Sequence, residues 1–214
     1  LFRSIQEDVP QGAMDEKEVD RFQQYLQLME TETRRIGCIV SNLLMFARQS
    51  KIEISQLDVN NLINETLSIN ANMLKINHVT VERHMLDTLP RLHGSEDQLK
   101  QVFMNLISNA AESMSQTDGG TLTITTAFDE PDDRVSIIFS DTGAGIPEAN
   151  RSKLFEPFFT TKKKAKGVGL GLSVVYGIIK EHGGSIEVSS QPGQGATFTI
   201  LLPRKAGMNN NDGE

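Results

Sequence analysis

At 214 residues, with 38% hydrophobic and 23% charged residues, the chain is long enough for one substantial α/β domain plus a smaller helical piece. Its formal net charge of -7 argues against a nucleic-acid binder, because no basic excess exists to displace counterions from a duplex. The single cysteine, Cys38, cannot close an internal disulfide or build a metal site, which fits a reducing cytoplasm, and no run approaches the roughly 18 apolar residues of a membrane span.

In chain order, Leu1, Phe2 and Ile5 read as the last turns of a helix ended by Pro10 and Gly12, so the first arm of a helical hairpin is expected to begin before Leu1. Residues 18–49 contain no proline and one glycine, Gly37. They predict one long helix, with Phe22, Leu26, Met29, Thr33, Ile36, Val40, Leu43 and Ala47 at the alternating spacing of a coiled-coil or bundle seam. Such a seam needs a second helix, a second copy of the chain, or both.

After Lys51 the character changes, and Asp58 is placed to cap a shorter amphipathic helix through about residue 74. Residues 79–86 alternate as a strand. Ser95 and Gln98 form an expected capping box that opens a helix to about Met114. Strands are predicted over 121–127, after the Asp118-Gly119-Gly120 turn, and over 134–140, where Val135, Ile137 and Phe139 alternate with polar positions. Residues 141–171 read as a long functional loop with a short helix over 149–154. A helix over 172–181 and strands over 185–189 and 196–202 close the domain, and a polar tail is expected to be disordered.

Three segments carry candidate chemistry. Asn105, Asn109 and Glu112 lie along a stripe beside the apolar face of the 95–114 helix; two poor helix formers four residues apart need solvent or a ligand to satisfy their amides. A solvated polar edge is the plain alternative. Asp141-Thr142-Gly143-Ala144-Gly145-Ile146 follows directly from a strand and suits recognition of a flat polar ligand, or is simply a tight turn in which Asp141 caps its own backbone. Gly167-Val168-Gly169-Leu170-Gly171-Leu172 frees backbone N–H groups for a phosphate at a helix N-terminus, although a flexible linker would look similar. The basic run Lys162, Lys163, Lys164 and Lys166 before it is a solvated face or a source of charge for a nucleotide.

In this order, Asn105/Asn109, Asp141 to Gly145, Phe155-Glu156-Pro157-Phe158-Phe159 and Gly167 to Gly171 resemble the N, G1, F and G2 boxes of the histidine-kinase branch of the superfamily that also contains gyrase B, Hsp90 and MutL. The resemblance covers about residues 57–203 and is closest to kinases of the nitrogen-regulatory type. It implies the Bergerat ATP-binding fold, an α/β (α+β) two-layer sandwich of a mixed sheet and helices preceded by a long coiled-coil or bundle helix. The implied organisation is a partial dimerisation and phosphotransfer hairpin over 1–54, a catalytic ATP-binding domain over 55–205, and a tail over 206–214.

The resemblance further implies ATP and Mg²⁺ as cofactors. Asp141 would accept from the adenine amino group, with Gly143, Gly145 and Ile146 beside it, and Asn109 would hold Mg²⁺ with Asn105 near the phosphates. Phe155, Phe158 and Phe159 would anchor one end of a mobile lid and Gly167, Val168, Gly169, Leu170 and Gly171 the other, while Thr160, Thr161 and Lys162 lie where the lid meets phosphates. Catalysis would rest on Asn105 and Asn109. Hydrolysing relatives are expected to carry glutamate where Asn105 stands, so transfer to an external acceptor is the implied reaction. Glu112 stands where many histidine kinases have lysine, and Ala196 where many have threonine. None of His78, His84, His93 and His182 fits the family's phospho-acceptor, so the acceptor helix is expected to be missing. Implied partners are a second copy through the hairpin and a response-regulator receiver domain, in the cytoplasm or on the cytoplasmic side of a membrane-bound sensor. The competing readings are an ATP-operated conformational module of the gyrase B, Hsp90 or MutL type and a non-catalytic dimerisation or regulator-binding module.

Overall fold

A computed structural model describes residues 16–47, 53–160 and 169–205. The expectations for Leu1 to Gly12, Lys51, Thr161 to Val168 and the tail from Ala206 lie outside the described residues, as do the side chains of Ile36, Cys38, Val40, Leu43 and Ala47. The chain divides into two units. In the first, helix α1 spans Glu16–Ala47, 32 residues. Phe22, Leu26 and Met29 are about half exposed along it, and so are Val19, Tyr25 and Leu28. The apolar arc is therefore wider than the expected single seam.

The second unit is built on a five-stranded sheet in the order β2-β4-β5-β7-β6. Its strands are β2 (Val79–Met85), β4 (Gly120–Asp129), β5 (Arg134–Asp141), β6 (Ser185–Ser190) and β7 (Ala196–Pro203). β2 and β4 run parallel and every other neighbouring pair antiparallel, so the sheet is mixed. Alternation puts Leu122 and Ile124, Val135, Ile137 and Phe139, and Phe198, Ile200 and Leu202 on one buried face. That face shares its core with helices α2 (Val59–Ile69), α4 (Glu96–Met114) and α6 (Gly171–Glu181). The Phe103 ring of α4 rests 5.7 Å from that of Phe139, so α4 lies directly against the central strands.

Two short strands, β1 (Ser55–Leu57) and β3 (Leu92–Gly94), pair antiparallel in a separate sheet. The helix expected through residue 74 is divided at Asn70. Helix α2 ends at Ile69, and α3 (Ala71–Ile76) restarts beyond a residue whose side-chain amide donates to the Thr66 carbonyl at 2.8 Å. Asp58 does cap α2, accepting from the Asn61 amide at 3.0 Å. Helix α5 (Glu148–Arg151) is one turn long.

The capping box at Ser95 does not form. Ser95 occupies the N-cap position of α4, but its side chain makes no cap bond. Gln98 Nε2 donates instead to Glu181 Oε2 at 2.9 Å, and the Ser95 amide donates to His182 Nε2 at 3.0 Å. His182 is buried and its Nδ1 faces the Ile178 carbonyl at 2.8 Å. Because Nε2 accepts, Nδ1 must carry the proton and donate. Gly94 leaves room for this ring, since a methyl there would stand 3.0 Å from its Cδ2. The pairs Ser95/His182 and Asn105/Gly171 run in opposite directions along α4 and α6, so the helices are antiparallel. Replacing His182 with leucine is expected to cost about 2 kcal/mol in urea unfolding, because it leaves the buried Ser95 amide without an acceptor.

Candidate functional site

The site is assembled where the end of β5 meets the carboxyl-terminal half of α4. Asn105, Asn109, Glu112 and Ser113 form a half-buried stripe on α4, flanked by the fully buried Leu106, Ile107, Ala110 and Met114. Asp141 closes β5, paired with Leu122 on one side and Ala196 on the other, and is 7% exposed. Its Oδ1 accepts from the Gly143 amide at 2.9 Å, so it does form the tight turn that sequence alone allowed. Burial pushes its carboxyl above the ordinary range, while hydrogen bonds from the Gly143 amide, the Ala196 amide and the Ser113 hydroxyl pull it back. A buried carboxylate that meets neutral donors fits a side chain kept to meet a further donor on a ligand.

The following loop is held from three directions. Thr142 Oγ1 accepts from the Thr121 amide at 2.9 Å and ties the loop to β4. Ser113 Oγ accepts from the Ala144 amide at 3.1 Å and ties it to α4. Ser190 Oγ accepts from the Ile146 amide at 2.8 Å and donates to the Gly195 carbonyl at 2.6 Å, tying it to the β6–β7 turn. Gly143 packs so closely on Ser113 that a methyl there would overlap its Oγ and stand 2.8 Å from its carbonyl carbon. Gly145, with φ +70°, faces the Gln191 carbonyl.

The two expected lid anchors do meet. Gly169 has φ +74°, and a methyl on it would come within 2.5 Å of the Phe158 carbonyl carbon and 2.7 Å of the Phe159 oxygen. Glycine is required on both counts. Phe155 packs on the core and on Tyr176, with ring centroids 5.4 Å apart. Phe158 is instead 70% exposed, with φ +66°, so it is not a core residue. Thr160 is exposed, and Leu170 is the N-cap of α6. The Asn105 side-chain oxygen lies 3.5 Å from where a Gly171 methyl would be, which sets the N-terminus of α6, with its positive dipole end, beside the α4 stripe.

Asn109 offers a hard amide oxygen of the kind Mg²⁺ takes, and no group of three or more His, Cys, Asp or Glu side chains suited to a metal occurs among the described residues. One protein oxygen fits a cation held mainly by phosphates and water. Thr161, Lys162, Gly167 and Val168 lie outside the described residues. Sequence reasoning missed Ser113 and Ser190. Ser113 stands four residues beyond Asn109 on the same helix face, which was a usable signal; Ser190 gave none.

Residues 94–206 match the model of the histidine kinase-, DNA gyrase B- and HSP90-like ATPase family. The chain belongs to this family. It is 37% identical over 180 residues to the sensor histidine kinase ZraS of Escherichia coli (strain K12), covering 84% of this chain and 37% of that one. It is 38% identical over 182 residues to sporulation kinase A of Bacillus subtilis (strain 168), covering 85% and 29% respectively. The chain thus spans well under half the length of these curated relatives. The solved catalytic domain of histidine kinase ThkA is 30% identical with a TM-score of 0.63, over 72% of this chain and 99% of that one. This family member is the ATP-binding catalytic region of a sensor histidine kinase. Among its described residues no helix is long and apolar enough to cross a membrane.

Proposed function

We propose that residues 55–205 form the catalytic domain that transfers the γ-phosphate of ATP to a histidine on a dimerisation helix, for relay to an aspartate on a response-regulator receiver domain. The observation that carries this reading is the buried, donor-lined Asp141 at a strand end, on the same helix–strand junction as Asn105 and Asn109. Asp141 receives the adenine amino group, Gly143, Gly145 and Ile146 supply the close backbone, and the amides at the start of α6 with Gly169, Leu170 and Gly171 face the phosphates. Asn109 would hold Mg²⁺, which when bound neutralises charge on the phosphate oxygens. Asn105 orients that end of the nucleotide. As a neutral amide it cannot take a proton from water, which favours transfer over hydrolysis. Phe158, Thr160, Thr161, Lys162, Gly167 and Val168 belong to the closing segment, with Glu112 at the edge of the stripe.

A receiver-domain partner is supported by the likeness to histidine kinase ThkA crystallised in complex with response regulator TrrA, 27% identical with a TM-score of 0.70 over 89% of this chain and 53% of that one. The half-exposed apolar arc of α1 supports a homodimer, with residues 1–54 as part of its hairpin. The acceptor is none of the four histidines of this chain. His78 stands in a turn with φ +53°, His84 and His93 sit in strands, and both ring nitrogens of His182 are engaged. Within the family the motifs favour the nitrogen-regulatory type and a cytoplasmic setting.

With γ-labelled ATP, the 214 residues are expected to bind nucleotide without acquiring acid-labile, base-stable phosphate, and to phosphorylate a separately supplied acceptor hairpin. Failure to bind ATP would sink the reading. Stoichiometric phosphohistidine on the chain itself would place the acceptor within it.

A further inference from the structure

Helix α6 is anchored at the end remote from the phosphates. Its buried residues, Val175, Ile178 and Ile179, lie from the middle of the helix onward, while Gly171 to Val174 are only half-buried. Just past its last turn, the buried His182 accepts at Nε2 from the Ser95 amide that opens α4, at 3.0 Å, and donates from Nδ1 to the Ile178 carbonyl of α6 at 2.8 Å. The imidazole is thus fixed to one helix and reaches to the other. Capping alone does not account for it, because the backbone amide of His182 already donates to the same Ile178 carbonyl at 3.1 Å. Apolar burial has no direction, whereas a hydrogen bond weakens steeply as it bends. The Ser95–His182 bond therefore sets the angle of α6 on α4, while the exposed Gln98–Glu181 bond beside it is open to exchange with water. Helix α6 is 11 residues long. That is about 16 Å, so a tilt of about 5° at the anchored end moves Gly171 by about 1.4 Å.

We propose that His182 is a positioning residue for the phosphate end of the nucleotide: through its bond to the Ser95 amide it fixes the angle of α6 on α4, and with it the spacing between the Gly169–Gly171 turn and Asn105. This rests on the nucleotide-binding reading above and deepens it. Asn105 belongs to α4 and the Gly171 backbone to α6, so phosphates received between them sense any change in the helix pair. A misplacement of about 1 Å is enough to spoil such a geometry. The adenine end is insulated from α6. Its loop is tied to β4, α4 and the β6–β7 turn through Thr121, Ser113 and Ser190, and α4 itself rests on the central strands through Phe103. Loosening the His182 bond therefore moves one end of the site and leaves the other in place.

The test compares the parent chain with His182→Leu, His182→Gln and Gly94→Ala, each titrated calorimetrically with ATP·Mg²⁺ and followed at saturation by amide-correlation NMR spectra. His182→Leu is expected to weaken ATP about tenfold, the scale of one hydrogen bond to a charged group. In its saturated spectrum the Gly169 and Gly171 amides should depart from their parental shifts while those of Gly143 and Gly145 keep theirs. His182→Gln, whose amide oxygen can accept from the Ser95 amide, should recover most of the affinity and the parental shifts. Gly94→Ala keeps the imidazole but presses on it, since its methyl would stand 3.0 Å from Cδ2 and 3.1 Å from Nε2. It should move the same two amides, which tests the proposal even where the leucine variant does not fold. Equal shift changes at both ends of the site would mean a merely structural role and overturn the proposal. So would a folded His182→Leu that binds ATP as the parent does, a His182→Gln no better than the leucine variant, or a Gly94→Ala that leaves Gly169 and Gly171 unmoved. With a parent that binds ATP, these results overturn this inference alone; a parent that does not bind ATP overturns the functional reading and this inference together.

Discussion

Asp141→Asn is expected to lower ATP affinity by about a hundredfold or more while leaving the fold in place, because a site built to receive a donor rejects a mismatched partner strongly. The carboxylate's Oδ1 accepts from the Gly143 amide at 2.9 Å. An asparagine has one acceptor oxygen, and its amino group would face either that amide or the adenine amino group. Calorimetry gives the affinity, and far-ultraviolet circular dichroism the fold; ATP binding equal to the parent would remove Asp141 from the site.

The pH dependence follows from the same burial. Asp141's carboxyl is raised above its unfolded value of 3.8, so the folded chain takes up this proton more readily than the unfolded one. Its contribution therefore opposes folding at neutral pH, shrinks as pH falls through the raised folded value, and is gone below the unfolded value. Nucleotide binding moves the other way: it needs the ionised form and is expected to decline on acidification before ordinary surface carboxylates titrate. An affinity flat across that window would contradict the assignment of Asp141 as the acceptor.

Gly143→Val is expected to lose both nucleotide binding and about 3 kcal/mol of stability. The added Cβ would overlap Ser113 Oγ and crowd the Ser113 backbone, and backbone cannot rotate away as the end of a flexible side chain can. The loop would have to lift from α4, giving up the Ala144 hydrogen bond and displacing Asp141. Gly177→Ala is the contrasting substitution. It lies within α6, where a methyl meets nothing within 4 Å, and is expected to add about 0.5–1 kcal/mol through helix propensity. Urea unfolding of the two variants should move in opposite directions; a Gly143→Val as stable as the parent would show that the loop is not pressed on α4.

The sequence was most legible where one period ran long enough to count. The 3.6-residue stripe of α4 and the alternation of β5 placed their buried faces correctly. Strands β1 and β3 escaped notice because three residues cannot display an alternation. The split at Asn70 depends on a side-chain bond to Thr66 that competes with the helix from within. The capping box failed for a non-local reason: its donor was claimed by His182, 87 residues away. Ser190 binds the loop across 44 residues, a distance at which spacing carries no signal, whereas the bond of Ser113 across 31 residues was legible only through its place on the Asn105/Asn109 face. Family motifs supplied Asn105, Asn109 and the glycines, but not the hydroxyls that set the loop's geometry.

The meeting of Phe158 and Phe159 with Gly169 gives the chain between them one point of departure and return. Closing a longer excursion between fixed ends costs little, about 0.6 kcal/mol for each doubling of length. The sheet and α6 therefore need not register how many residues lie in between, provided the glycine and the phenylalanine backbones keep their contact. This makes the junction a natural graft point, where a longer or differently charged segment could be exchanged without redesigning the scaffold beneath it.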